Sequence, residues 1–216
     1  MIPRPIRRAI RAACLLGTLA LAACAQAPQP DAMAPVPAST PAGTIAQAPA
    51  PALLVQPVSG GKATDPLEKP ALDGQGFQAA LIAGLRRSGL FRDVITAGPA
   101  GWTLRAVIVS QAMDGTFRVS EDLMIRYDLS DGSGGALWGE TVVSRCERDV
   151  ADDFDGQTRM RKVIECAARR NLTAMLTRLR GWLETHPAGS AAAWHRRLGA
   201  SAGPSSAAPS SSTLGG

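Results

Sequence analysis

Three apolar runs separated by two glycine-rich turns constrain the fold of this chain more than any other feature. The first, 102–112, reads WTLRAVIVSQA and is broken by Asp114-Gly115. An Asp-Gly pair accepts the positive φ values that a tight turn demands, which makes it the strongest short hairpin signal in the chain. The return run, 116–129, carries Met124, Ile125, Tyr127 and Leu129 near its end. Asp131-Gly132-Ser133-Gly134-Gly135 then turns the chain into ALWGETVVSRC, 136–146. Three successive strands joined this way form an antiparallel meander.

Two helical patterns flank the meander. From Gly76 to Leu90, Phe77, Leu81 and Leu85 recur at every fourth position, with Arg86 and Arg87 in the last turn and Gly89 at its end. From about Gln157 to Leu183, Met160, Ile164, Ala168, Leu172, Met175, Leu179 and Trp182 make an amphipathic stripe that should cover the sheet. Ahead of the first helix, LLVQPV at 53–58 reads as a short strand. Pro57 has no N–H to give a ladder, so the reading places this strand at an edge. Ser59-Gly60-Gly61 reads as a breaker, and 91–96 as one more short strand. The sequence thus predicts an α+β domain over residues 53–186. Its mostly antiparallel, four- to five-stranded sheet carries two packed helices, in the order β-α-β-β-β-β-α. A unit of this length buries roughly two thirds of its surface.

The two ends do not fit a core. Arg4, Arg7, Arg8 and Arg11 precede an apolar run from Ala12 to Ala23, which is too short to span a bilayer. The run closes on Leu21-Ala22-Ala23-Cys24. This resembles a bacterial lipobox, in which the cysteine is lipidated and becomes residue one; a plain secretory signal cut at the same small residues is the alternative. Residues 1–23 are then a lipoprotein signal peptide and Cys24 the lipidation site. Ala25, where inner-membrane lipoproteins typically carry Asp, implies the periplasmic face of the outer membrane. Residues 24–52 are rich in Pro and Ala with Asp31 as their only charge, and predict a semi-extended tether of at most roughly 85 Å. From 187 to 216 the chain is mostly Ala, Gly, Ser and Pro and predicts disorder, with one short helical possibility at 191–198.

The formal charge of +5 invites a nucleic-acid reading, but the placement of the charges removes it. Four basic residues leave with the signal, and residues 53–186 hold 17 basic and 17 acidic side chains. What remains is an internal polarity. Asp149, Asp152, Asp153 and Asp155 lead into a helix bearing Arg159, Arg161, Lys162, Arg169, Arg170, Arg178 and Arg180. The helix is either a solvated face or a docking surface, centred on Arg159, Lys162, Arg169 and Arg170, for an acidic partner, lipid headgroups or cell-wall polymer. The aspartates read as a solvated helix start, or as a carboxylate acid–base site.

Other candidates carry less. Four cysteines and two histidines, spread as Cys14, Cys24, Cys146, Cys166, His186 and His195, argue against a zinc site. Cys146 and Cys166 remain in an oxidising compartment, and Cys166 lies off the apolar stripe. A disulfide suits both; two free thiols or a reactive Cys146 are the alternatives. Gly74-Gln75-Gly76-Phe77-Gln78-Ala79 matches a dinucleotide pattern but follows no adjacent strand, and reads as a glycine-rich helix start. Gly132-Ser133-Gly134 fails the nucleophile-elbow spacing. Neither histidine stands on a rigid frame for a triad.

The layout resembles small periplasmic lipoproteins with the TolB N-terminal-like fold: penicillin-binding-protein activators, curli-secretion lipoproteins and auxiliary lipoproteins of ABC transport systems. The resemblance runs through the lipobox and Pro-rich tether, LLVQPVSGG at 53–61 and FQAALIAGLRRSGLF at 77–91. It continues in WTLRAVIVS at 102–110, IRYDLSDGSGGALWGETVV at 125–143 and RRNLTAMLTRL at 169–179. At 97–101, where the activators carry a second helix, this chain has only a short gap, which favours the shorter, transport-auxiliary type or an uncharacterised branch. The resemblance implies a non-enzymatic adaptor of an envelope protein complex, attached to the membrane through its N-terminal lipid, with no cofactor, no metal and no nucleic-acid partner. An auxiliary subunit of a lipid or ABC transporter and an envelope enzyme with a carboxylate site are the alternatives.

Overall fold

Asp114-Gly115 turns the chain as the sequence requires. Gly115 has φ 91°, and a Cβ there would collide with the carbonyl oxygen of Arg118. The structure is a computed structural model and describes residues 25–36 and 49–186. On either side of that turn run β4 (Trp102–Asp114) and β5 (Arg118–Asp131), followed by β6 (Ala136–Asp149). β4, β5 and β6 pair antiparallel, with Ile108 opposite Ile125 and Ile125 opposite Val142. Alternation sends Trp102, Leu104, Ala106, Leu123, Ile125, Tyr127, Leu129 and Val142 to one buried face. The register shifts between Ile108 and Ser110, leaving Val109 as the extra residue of a bulge.

The remaining elements complete one α+β layer. In chain order, α1 is Pro30–Met33, β1 Leu53–Val55, β2 Ser59–Gly60, α2 Gly74–Ser88, β3 Val94–Ile95 and α3 Gly156–Thr185. The sheet runs β3-β1-β4-β5-β6, with β2 pairing beside β4. The helices pack on one face only. α2 contributes Phe77, Leu81 and Leu85 to the core, and α3 contributes Val163, Ile164, Ala168, Leu172, Met175 and Leu179. Each of these side chains larger than Ala168, fully buried, stabilises the fold by roughly 1.5–3 kcal/mol. Asp73 caps α2 by accepting from the Gly76 N–H (2.6 Å), which starts the helix at Gly74, ahead of the hydrophobic pattern that opens at Phe77. Gly89, in the left-handed conformation, ends it.

Three features differ from the sequence reading. β1 is not an edge strand: it lies between β3 and β4, parallel to both. Its ladder ends at Val55, and the Gln56 N–H still reaches the Leu104 carbonyl (3.0 Å), so Pro57 is never asked for a donor. Ser59-Gly60, read as part of a breaker, is β2, parallel to Val107 and Ile108. Gly60 permits this approach, because a Cβ there would strike the Ile108 carbonyl oxygen. Finally, the first part of the tether does not run free. Met33 is fully buried and Ala34 nearly so, and α1 packs against α2 and α3. Pro35 lies over Gly84, where a side chain would crowd it. Residues 37–48 of the tether, the signal peptide with Cys24, and the 187–216 tail lie outside the described residues.

Candidate functional site

The basic face proposed on α3 is largely engaged within the chain itself. Arg159 is only 6% exposed. Its guanidinium donates to the Asp153 carbonyl (2.5 Å) and the Thr116 carbonyl (3.0 Å), while Nε has no partner. It is a brace between the β4–β5 turn and the loop before α3, not part of a docking surface. Lys162 pairs with Asp153 (2.6 Å), and Arg170 donates to the Arg145 carbonyl (2.7 Å) on β6. Arg169 donates to the Ala32 carbonyl of α1. Glu165, on the same stretch, accepts from the Gln29 N–H (2.9 Å).

The acidic loop is similarly committed. Asp155 caps α3, accepting from Thr158 N–H (3.0 Å) and Gln157 N–H (3.4 Å), and these hydrogen bonds, Thr158's first, hold its carboxyl below the usual range. Lys162 does the same for Asp153. The Ala151 N–H, with Arg118 next, lowers Asp149, and Asp152 accepts from the Asp149 N–H (2.9 Å). Carboxylates held ionised by local donors are poor general acids near neutrality. Among the described residues, no group of three or more His, Cys, Asp or Glu is placed to hold a metal ion.

Cys146 of β6 and Cys166 of α3 form a disulfide, their Cα atoms 5.9 Å apart. It ties the edge strand to the helix that covers it. Beside it runs a buried polar chain that the sequence did not reveal. Tyr127 donates to Asn171 Oδ1 (2.8 Å), and Asn171 Nδ2 donates to the Val142 carbonyl (2.9 Å) and Ser144 Oγ (3.2 Å). Ser144 in turn donates to the Ala167 carbonyl (2.9 Å). Burial raises the Tyr127 pKa well above its ordinary value, so the phenol stays a donor. With every member satisfied, this network locks α3 to β5 and β6.

One carboxylate has no such commitment. Glu121 stands on the inward face of β5, opposite Met113 on β4 and Cys146 on β6, and is 2% exposed. No hydrogen bond reaches it among the described residues. It borders a cavity of about 420 Å³ walled by Met113, Gln111, Pro70 and the Lys62–Glu68 pair. Gln111 holds the wall in place, its amide exchanging hydrogen bonds with the Leu72 N–H (3.0 Å) and carbonyl (3.4 Å). Burial, and secondarily the charge of Asp122, push the Glu121 pKa up to about 7. Near neutrality this group can hold or release a proton, and once ionised it can pair with a cation entering the cavity. The volume lies in the range of small-ligand sites.

The face of the sheet opposite the helices is open. Val109 and Val143 are 53% and 61% exposed there, next to Met124. Around them, Arg126 pairs with Asp128 and Arg145 with Asp122, both at 2.7 Å. No helix of the described residues is long and apolar enough to cross a membrane.

No protein-family profile matches the chain, and no curated protein matches it. Its fold is similar to several solved structures. One is a Xanthomonas campestris protein of family DUF330, at 14% identity, covering 74% of this chain and 98% of that one with a TM-score of 0.49. A putative lipoprotein from Caulobacter crescentus is 17% identical over 49% of this chain and 83% of its own, TM-score 0.38. Lipoprotein GNA1162 from Neisseria meningitidis is 16% identical over 46% of this chain and 84% of its own, TM-score 0.35. At such identities and scores no function passes from them to this chain.

Proposed function

We propose that this chain is a lipid-anchored protein of the bacterial envelope, acylated at Cys24 and held at the periplasmic face of the outer membrane. Its folded unit serves an envelope protein complex as a non-enzymatic adaptor. The likeness to TolB N-terminal-like lipoproteins belongs to this proposal. One observation carries it: the segment that directly follows Cys24 is fastened to the helical layer, while the opposite face of the sheet stays open. An anchor at Cys24 would hold the domain at a fixed place, with the β4–β6 face free to meet a partner. That face suits an adaptor, since exposed valines and Met124 are framed by charges already paired with one another, and covering it strands few ions.

The test has two arms. Envelope fractionation with intact mass should find an acylated mature N-terminus, and Cys24→Ser should move the protein to the soluble periplasm. A photo-crosslinking residue at Val143 should give a discrete adduct in intact envelopes that is lost when the probe is moved to Gly181 on α3. An unmodified N-terminus would refute the anchor, and equal, diffuse labelling at both positions would refute the adaptor face.

The Glu121 cavity favours a second version, in which the subunit serves a lipid or ABC transport system by handling a small ligand. It requires a molecule that co-purifies with the domain and is lost in Glu121→Gln; recovery of the same molecules from both proteins would exclude it.

A further inference from the structure

We infer that one end of the sheet is a membrane seat, at which Leu67, Phe117 and Phe154 enter the bilayer interface beside the acyl anchor. The inference rests on the lipid-anchor reading above and adds an orientation to it. These three are the most exposed large hydrophobic residues besides Val36 among those described, at 93%, 76% and 88%. They sit on three separate loops, and the topology brings the loops to the same end. Phe117 lies in the turn between β4 and β5. Phe154 follows the end of β6, where Asp149 is the register partner of Arg118 at the start of β5. Arg159 fixes the two loops to each other through the carbonyls of Thr116 and Asp153, the residues directly before the two phenylalanines. Leu67 tips the loop that walls the Glu121 cavity, whose other wall is Met113, one residue from the end of β4.

The Leu67 loop is braced. Thr64 Oγ1 donates to the Ala71 carbonyl (3.0 Å) and accepts from its N–H (3.1 Å), closing the base. Asp65 accepts from the Leu67 N–H (2.9 Å), and Lys62 pairs with Glu68 (2.5 Å). A leucine held outward by so many contacts is displayed to something apolar. What it meets is indicated by the chain: the Ala25 N–H donates to the Pro66 carbonyl (3.0 Å), next to Leu67. Cys24 directly precedes Ala25 in the chain. Acyl chains on Cys24 therefore enter the bilayer at this loop, and the surface beside them is lipid. Lys62 and Lys69 against Asp65 and Glu68 leave the loop without net charge, so it can approach a zwitterionic headgroup layer.

The experiment uses the full acylated chain in zwitterionic vesicles of phosphatidylethanolamine and phosphatidylcholine containing doxyl-labelled lipid. Single cysteines at Leu67, Phe117 and Phe154, all largely exposed, carry a fluorophore; Ala97→Cys, before the far end of β4, is the control. The native pair Cys146–Cys166 is oxidised and takes no label. Quenching at the three tips should exceed that at position 97 by about twofold or more, as insertion of 5–10 Å implies. Equal quenching with acylation confirmed by mass overturns the inference alone. Absence of acylation overturns the anchor reading and the inference with it. Shielding of the tips in native envelopes but not in these vesicles assigns the end to a protein and overturns the membrane seat.

Discussion

Glu121 is the residue whose behaviour is most informative. Alternation along β5, counted back from Tyr127 through Ile125 and Leu123, places position 121 on the inward face, so its direction was legible in the sequence. Its burial was not, because the cover comes from the 62–71 loop, whose packing follows no local pattern. The folded pKa, about 7, lies above the ordinary value of 4.5. Folding therefore favours the protonated carboxyl. The stabilisation is full below pH 4.5 and is lost as pH rises through 7, on the order of 3 kcal/mol across the window. Glu121→Gln should flatten this slope while retaining the low-pH stability, as measured by urea unfolding at a series of pH values. A wild-type slope unchanged by the substitution would show that the carboxyl is not buried. Asp149, Asp153 and Asp155 have lowered pKa values and act in the opposite sense: their contribution is present above pH 3.8 and is lost as pH falls further. The two windows are separate.

At the scale of elements, what was legible follows a physical rule. The meander and both long helices are periodic over 13 residues or more, and the structure has them within a few residues of the predicted bounds. The short elements fail that test. β1 was placed at an edge from Pro57, but the rule applies to a proline inside the ladder, and this ladder stops first. α1 is four residues in a Pro- and Ala-rich segment, and a helix so short exists only through tertiary contacts. Its one strong signal is Met33 amid small residues. Met33→Asp should release 25–36, seen as faster hydrogen exchange and proteolysis there, and lower the global unfolding midpoint, since the surface of α2 and α3 that Met33 covers is then exposed. Unchanged protection would mean that the segment is held by other means. The disulfide acts on a larger loop. With its cysteines 20 positions apart in the chain, replacing Cys146 and Cys166 by serine should cost about 3 kcal/mol in denaturant unfolding. A loss well below 1 kcal/mol would show that the polar chain through Asn171 already fixes α3 on β6.

For the whole molecule, the decisive question is where the chain lets go of the domain. A charge of +5 points towards nucleic acid only until its placement is read, since residues 53–186 hold equal numbers of basic and acidic side chains. A Pro-rich stretch likewise reads as a long spacer only until its first part is found docked. Residues 37–48 join Val36 and Pro49, which both belong to the described structure. On the proposed anchor at Cys24, no residue separates the acylated position from Ala25. Extending 37–48 by about 20 flexible residues, a gain of roughly 12 Å in mean reach, should then leave the depth signal at Leu67 unchanged. The same insert placed between Ala25 and Gln26 separates anchor from seat and should weaken that signal, the more so with Met33→Asp. If instead the insert at 37–48 alone lifts the domain from the membrane, the docked segment opens in the anchored state, and the distance to the bilayer is set by the tether after all.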